Sequence, residues 1–194
     1  MPTLPLPWIV LVGLWLVWWI SWWIASRWAS RPATRAPLAD EMRYRVLTVV
    51  GAALIFLPLG PLSAATTLYP PNPTITWFAA ALAAVGFAFC WWARIHLGTL
   101  WSASVTRKDD HRIVDTGPYA LVRHPIYTGI ILAGVATGLA KGTLIALASV
   151  AIFALSFYVK ARLEEQFLKK ELGAASYEAY RARVPMLLPF SPFG

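Results

Sequence analysis

The chain has 194 residues, of which 58% are hydrophobic and only 13% charged, and its mean hydropathy is positive; that is more apolar surface than one soluble domain of this length buries. The net charge of +8 comes from 17 lysines and arginines set between apolar stretches and not on one patch, which excludes a nucleic-acid partner and points to a lipid bilayer. The single cysteine, Cys90, lies inside an apolar run, cannot form an intrachain disulfide and reads as a small buried hydrophobe.

Five apolar segments follow in chain order: Trp8 to Ala25, Val46 to Leu68, Ile75 to Trp92, Ile126 to Ala140 and Thr143 to Val159. Several approach the roughly 20 residues that cross hydrocarbon, so the expected fold is all-α, a polytopic membrane protein with about five transmembrane helices. The first segment lacks the basic flank and cleavage site of a removable signal. The second is interrupted by Leu57-Pro58-Leu59-Gly60-Pro61, which should break it and leave its far half irregular. Tyr69-Pro70-Pro71-Asn72-Pro73 reads as a turn, and the tryptophans of 15–28 and 91–101 suit the headgroup level.

The loops set the orientation. Sixteen of the 17 basic residues fall between spans one and two, between three and four, or after five, and only Lys141 lies in an opposite turn. By the positive-inside bias that face is the cytoplasm, the amino terminus is outside and the carboxyl terminus inside. The expected location is a prokaryotic cytoplasmic membrane, with the site facing the cytoplasm.

His96, His111 and His124 and most acidic residues fall on the same face, so the chemistry is expected there. No G-x-G-x-x-G, P-loop, nucleophile elbow or H-E-x-x-H is present, and three scattered histidines make a poor metal site, so no metal is expected. Two clusters remain. The first runs from Asp115 through Gly117-Pro118-Tyr119 and Arg123-His124-Pro125 to Tyr127 and Gly129, opening span four; its helix start would offer free backbone donors to an anion. The second, Arg162-Leu163-Glu164-Glu165-Gln166-Phe167-Leu168-Lys169, continues span five, with Arg162, Glu165 and Lys169 spaced to line one helical face.

Together with Leu97-Gly98-x-x-Trp101-Ser102 and the tail Tyr177-x-x-Tyr180-x-x-Arg183-Val184-Pro185, these clusters resemble the isoprenylcysteine carboxyl methyltransferase and phospholipid methyltransferase family of integral membrane enzymes, over roughly residues 94 to 190. The resemblance implies an S-adenosylmethionine-dependent membrane methyltransferase acting on a small lipidic or hydrophobic acceptor. It implies that residues 1–93 form N-terminal transmembrane helices and that 94–194 form the catalytic region, with two transmembrane helices and a cytoplasmic tail that closes over the cofactor. Carried over residue by residue, Val114, Gly117 and Tyr119 would give backbone contacts to the cofactor. His124 and Pro125 would hold its methionine portion, Tyr127 would pack against it and Glu164 would bind its polar groups. Arg123, Arg162 and Glu165 would stand near the reacting centre. The opening half is shorter than in the larger eukaryotic members, which argues against a prenylated protein as acceptor.

Methyl transfer fits such a site physically, because it needs alignment and exclusion of water and neither a metal nor a covalent nucleophile. A carboxylate acceptor is already ionised at neutral pH, whereas an amine, thiol or hydroxyl would need a base such as Glu165. The alternatives are an NADPH-dependent membrane reductase of the sterol reductase type, disfavoured by the small number of spans and the lack of an extra basic site, and a non-enzymatic membrane protein or carrier, disfavoured by the absence of charges inside the spans.

Overall fold

The computed structural model describes residues 5–29, 34–102, 104, 106–107, 113–172 and 174–190. Among the described residues seven α-helices follow one another: α1 (Leu6–Ala25), α2 (Leu38–Phe56), α3 (Gly60–Ala65), α4 (Pro73–Leu97), α5 (Pro125–Lys141), α6 (Leu144–Leu172) and α7 (Ala174–Arg183). Among the described residues, extended structure is limited to a two-residue antiparallel ladder that pairs Thr34–Arg35 with Thr106–Arg107, plus a single bridge between Thr67 and Thr143. The protein is an all-α polytopic membrane protein.

Proline placement explains most helix starts. Pro7, Pro73 and Pro125 sit in the first turns of α1, α4 and α5, where a missing amide hydrogen removes no intrahelical bond. Asn72 caps α4 by accepting from the amides of Thr74 and Ile75.

Among the described residues three helices are long and apolar enough to cross a membrane: Leu6–Trp28, Pro73–Leu100 and Leu144–Lys170. The other two expected spans depart from that pattern. α5, at 17 residues, is shorter. α2 carries Asp40, Glu41, Arg43 and Arg45 in its first half, so its apolar part from Val46 to Phe56 covers only about 16 Å. The expected second span, Val46 to Leu68, also ends early: Leu57, preceding Pro58, is extended and closes the helix, and the chain resumes in the six-residue α3.

The helices pack in the order α1, α4, α5, α6, α2. α4 and α5 approach most closely where Gly86 faces Gly129. A Cβ on Gly86 would meet the Gly129 carbonyl oxygen at 2.5 Å, and one on Gly129 would collide with the Gly86 oxygen, so neither position has room for a side chain. Such small-residue contacts let apolar helices pack by direct backbone approach in lipid. α1 joins them through an interior aromatic stack. Trp15 lies edge-on to Phe56 and Phe87 and donates to Thr137 Oγ1 at 2.9 Å, while Trp22 meets Trp91 and Trp101. Only some tryptophans, Trp23, Trp28 and Trp92 among them, are exposed as a headgroup belt requires. α4 runs unbroken through residues 93 and 94, so both parts of the expected division share one helix.

Candidate functional site

The site forms where the end of α4, the start of α5, the far end of α6 and α7 converge. Its first wall is the turn before α5. Gly117 has φ +58°, a left-handed conformation that glycine adopts without strain, and the His96 ring lies 2.8 Å from where its Cβ would be. His96 Nε2 lies 2.9 Å from Thr116 Oγ1, and the His96 ring stacks on Tyr119. Tyr119 is buried, and its carbonyl accepts from the Tyr180 hydroxyl of α7 at 2.7 Å. Burial pushes the phenols of Tyr119, Tyr177 and Tyr180 above their ordinary range, so all three are neutral hydroxyls at physiological pH.

The second wall is the start of α5. The amides of Arg123 and His124, expected as free donors for an anion, instead donate to the carbonyls of Pro185 (2.8 Å) and Met186 (3.1 Å). Thr128 Oγ1 donates to the Leu187 carbonyl at 2.6 Å. The chain after α7 thus runs across the helix start and satisfies groups that have no intrahelical partner. Anion recognition is left to side chains.

Those side chains form one connected group. Arg123, 3% exposed, donates from Nε to Glu165 Oε1 at 2.8 Å and from Nη1 to the carbonyls of Arg181 (3.1 Å) and Val184. Its Nη2 is buried with no hydrogen-bond partner. His124 Nε2 lies 3.2 Å from Glu165 Oε1, and its Nδ1 lies 3.6 Å from Glu164 Oε2. The Tyr127 ring stacks on His124 at 5.3 Å, and its hydroxyl donates to Glu164 Oε1 at 2.5 Å.

Seven of the residues expected at the site, Val114, Tyr119, Arg123, His124, Pro125, Tyr127 and Glu164, line a single cavity. Gly117 shapes the turn beside it. Glu165 is buried behind Arg123 and His124, outside the lining. Arg162 is exposed and also outside the lining; it shares a face of α6 with Glu165, but the carboxylate pairs with Arg123 of α5 and not with Arg162. Lys169 pairs with Glu178 of α7 instead. Asp109, Asp110, His111 and Arg112 lie outside the described residues. Among the described residues no group of three or more His, Cys, Asp or Glu side chains could hold a metal ion.

The cavity has lining residues that side-chain chemistry alone did not mark. Trp101 and Leu97 come from the end of α4, Phe167 from α6, and Tyr177 and Tyr180 from α7. Trp101 is backed by Arg94, whose buried guanidinium stands 4.6 Å from the indole centroid and donates to the carbonyls of Gly98 (2.6 Å) and Ala25 (2.7 Å). The sequence signal for Trp101 was its place in the Leu97-Gly98-x-x-Trp101-Ser102 segment. For the tyrosines it was their place in the Tyr177-x-x-Tyr180-x-x-Arg183 tail.

Comparison with known proteins bears on this geometry. Residues 79–170 match the family model described as the isoprenylcysteine carboxyl methyltransferase (ICMT) family. The chain is 33% identical over 87 residues to the protein-S-isoprenylcysteine O-methyltransferase of Schizosaccharomyces pombe, an alignment that covers 44% of this chain and 36% of that protein. It is 31% identical over 87 residues to protein-S-isoprenylcysteine O-methyltransferase B of Arabidopsis thaliana, covering 44% of each. It is also 33% identical over 120 residues to the nickel-cobalt-cadmium resistance protein NccN of Alcaligenes xylosoxydans xylosoxydans, covering 59% of this chain and 53% of that one. The chain thus spans about a third to a half of the length of these curated relatives. The fold is similar to the solved structure of the eukaryotic intramembrane Ras methyltransferase ICMT, with a TM-score of 0.51 at 22% identity over 76% of this chain and 52% of the other. The matched segment holds the close α4–α5 packing and every cavity residue of α5 and α6, and over it this chain is similar to the isoprenylcysteine carboxyl methyltransferase family.

Proposed function

We propose that the protein is an S-adenosylmethionine-dependent membrane methyltransferase that acts on a small hydrophobic or lipidic acceptor, with its site at the cytoplasmic face. The observation that carries this reading is the unspent polar capacity of the cavity. Arg123 Nη2 is buried without a partner, and Glu164, which lines the same cavity, has the neutral Tyr127 hydroxyl as its nearest hydrogen-bond donor. A buried guanidinium donor without an acceptor is costly unless a ligand supplies one. A guanidinium and a carboxylate side by side suit the carboxylate and ammonium ends of an amino acid, and the walls of Trp101, Tyr119 and Tyr127 suit a flat apolar ring.

When bound, S-adenosylmethionine supplies a methyl group on a positively charged sulfur. Arg123 and His124 hold the donor's carboxylate end, Glu164 its ammonium, and Val114 and Tyr119 contact it from the turn. Glu165 bonds to Arg123 and faces His124 at once, so it acts as the residue that positions both rather than as a base at the acceptor. The segment from Val184 to Leu187 fastens across the start of α5 and keeps water from the polar groups behind it. The cytoplasmic orientation rests on the sixteen-to-one distribution of basic residues.

Calorimetric titration of the purified protein in detergent with S-adenosylmethionine and, separately, with NADPH tests the reading. Saturable binding of the first and none of the second is expected; the reverse would assign the site to the reductase alternative.

A further inference from the structure

The chain beyond α7 ends in an apolar tip that the methyl-transfer reading does not use. Its approach is fastened to the protein. The carbonyls of Pro185, Met186 and Leu187 accept in turn from the amides of Arg123 and His124 and from Thr128 Oγ1, and the Met186 side chain is buried in the core. Those partners give the segment a direction. Arg123 precedes α5, His124 is its N-cap and Thr128 lies one turn inside, so the chain descends along α5 by about 6 Å from its start.

The face it descends is the one turned to lipid. From Pro125 to Ala140 only Thr128, Ile131, Leu132, Val135 and Leu139 are not buried, a stripe at helical spacing that is apolar after Thr128. The tail reaches the head of that stripe and continues with Leu188, 69% exposed, and Phe190, 93% exposed. No charged side chain occurs from Val184 to Phe190, in contrast to the polar α7 with Arg181 and Arg183 in its last turn. Phe190 also has φ +61°, a left-handed conformation unfavourable for a bulky residue, and so exposed a ring has too little protein around it to offset that. Two large apolar side chains held outward at this depth are favourable against hydrocarbon and unfavourable in water.

We propose that residues 188–190 are a membrane anchor, which seats Leu188 and Phe190 at the boundary of lipid headgroups and acyl chains and so holds the preceding segment closed over Arg123 and His124. The partner is the bilayer: the tip continues the lipid-facing stripe of α5, and two side chains offer far less area than a stable dimer buries. The consequence for the donor rests on the methyl-transfer reading, whereas the docking itself does not.

Spin labels on Leu188→Cys, Phe190→Cys and, as the control on exposed α7, Ala182→Cys test the docking in phosphatidylcholine vesicles. Cys90 is buried, so the label goes to the introduced thiol, with wild type as the blank. Relative to position 182, labels at 188 and 190 should favour collision with oxygen over a water-soluble nickel chelate by about fivefold or more. Labels that meet the chelate as freely as position 182 overturn the anchor. Spin–spin broadening that disappears on dilution with unlabelled protein gives the tip to a second copy and overturns it too. Neither side chain lines the cavity, so donor affinity reads closure and not contact. In nanodiscs the double variant Leu188→Ser, Phe190→Ser should bind S-adenosylmethionine about three- to tenfold more weakly, and Leu188→Met, Phe190→Leu should bind as wild type. Unchanged affinity in the serine variant overturns the link between docking and closure. Wild type that binds no S-adenosylmethionine while both labels sit in lipid would sink the methyl-transfer reading and leave the anchor standing.

Discussion

The two ends of the helix bundle answer one requirement in different ways. At the end away from the site, the last carbonyls of α5 and the broken end of α2 are satisfied by neighbours. Tyr69 donates to the Leu139 carbonyl, Lys141 Nζ to the Leu57 carbonyl at 3.3 Å, and the amides of Leu68 and Leu144 to the carbonyls of Gly142 and Thr66, both at 2.8 Å. At the site end the opening amides of α5 are satisfied by carbonyls of Pro185 and Met186, far away in sequence, and Arg123 and Glu164 retain polar capacity beyond what the fold consumes. Backbone groups in a membrane protein must be paired at both ends. Among the described residues, surplus capacity that faces the cavity occurs at one, and that surplus distinguishes the proposed site.

Removing Arg123 should break the contrast most severely. Arg123→Met leaves Glu165 buried without its guanidinium partner, and losing one member of such a pair costs about 3–5 kcal/mol. Thermal unfolding in detergent should show that loss, and S-adenosylmethionine binding should vanish; near-native stability would mean that the pair is not buried as described. Glu165→Gln keeps the shape but removes the charge that orients Arg123 and His124. Because those two residues hold the donor, donor affinity should fall about tenfold or more while the single-turnover rate at saturating donor changes much less. Exposed Arg162 provides the control on the same helix: Arg162→Lys should change stability by about 0.5 kcal/mol or less and leave turnover close to wild type.

Tyr127→Phe removes one hydrogen bond to Glu164 and nothing else from the cavity wall. Donor affinity should drop about five- to tenfold, the scale of roughly 1 kcal/mol for one such bond. The smallest functional effect is expected at the opposite end. Tyr69→Phe should cost about 1 kcal/mol of stability through the lost bond to Leu139 and leave donor affinity unchanged, so a binding defect there would undo the distinction between the two ends.

Much of this architecture was legible in the sequence where one local rule dominated. Proline and glycine signals predicted the break after Phe56 and the helix start at Pro125, and apolar length located α1, α4 and α6. Cavity residues in the α5 cluster were legible through the combination of Tyr119, Arg123, His124 and Tyr127 with Glu164. Partner identity was not. Spacing of three places Arg162 and Glu165 on neighbouring positions of a helix, but which partner a carboxylate takes depends on what packs against it. Here that is Arg123 of α5, 42 residues away. The capture of the Arg123 and His124 amides by Pro185 and Met186 was hidden for the same reason: a backbone carbonyl has no sequence signature. Trp101 was read with the headgroup belt because an indole suits both a membrane interface and a cavity wall.

Transfer of a labelled methyl group tests the central claim most directly. Purified protein in lipid nanodiscs, supplied with methyl-tritiated S-adenosylmethionine and N-acetyl-S-farnesylcysteine, should move label into the solvent-extractable acceptor. At donor concentrations below saturation wild type should do so at a rate about tenfold or more above Glu165→Gln. No transfer by a wild-type protein that binds both molecules would contradict the account, and equal rates in wild type and Glu165→Gln would contradict the assignment of the buried Arg123–Glu165–His124 group to the reaction.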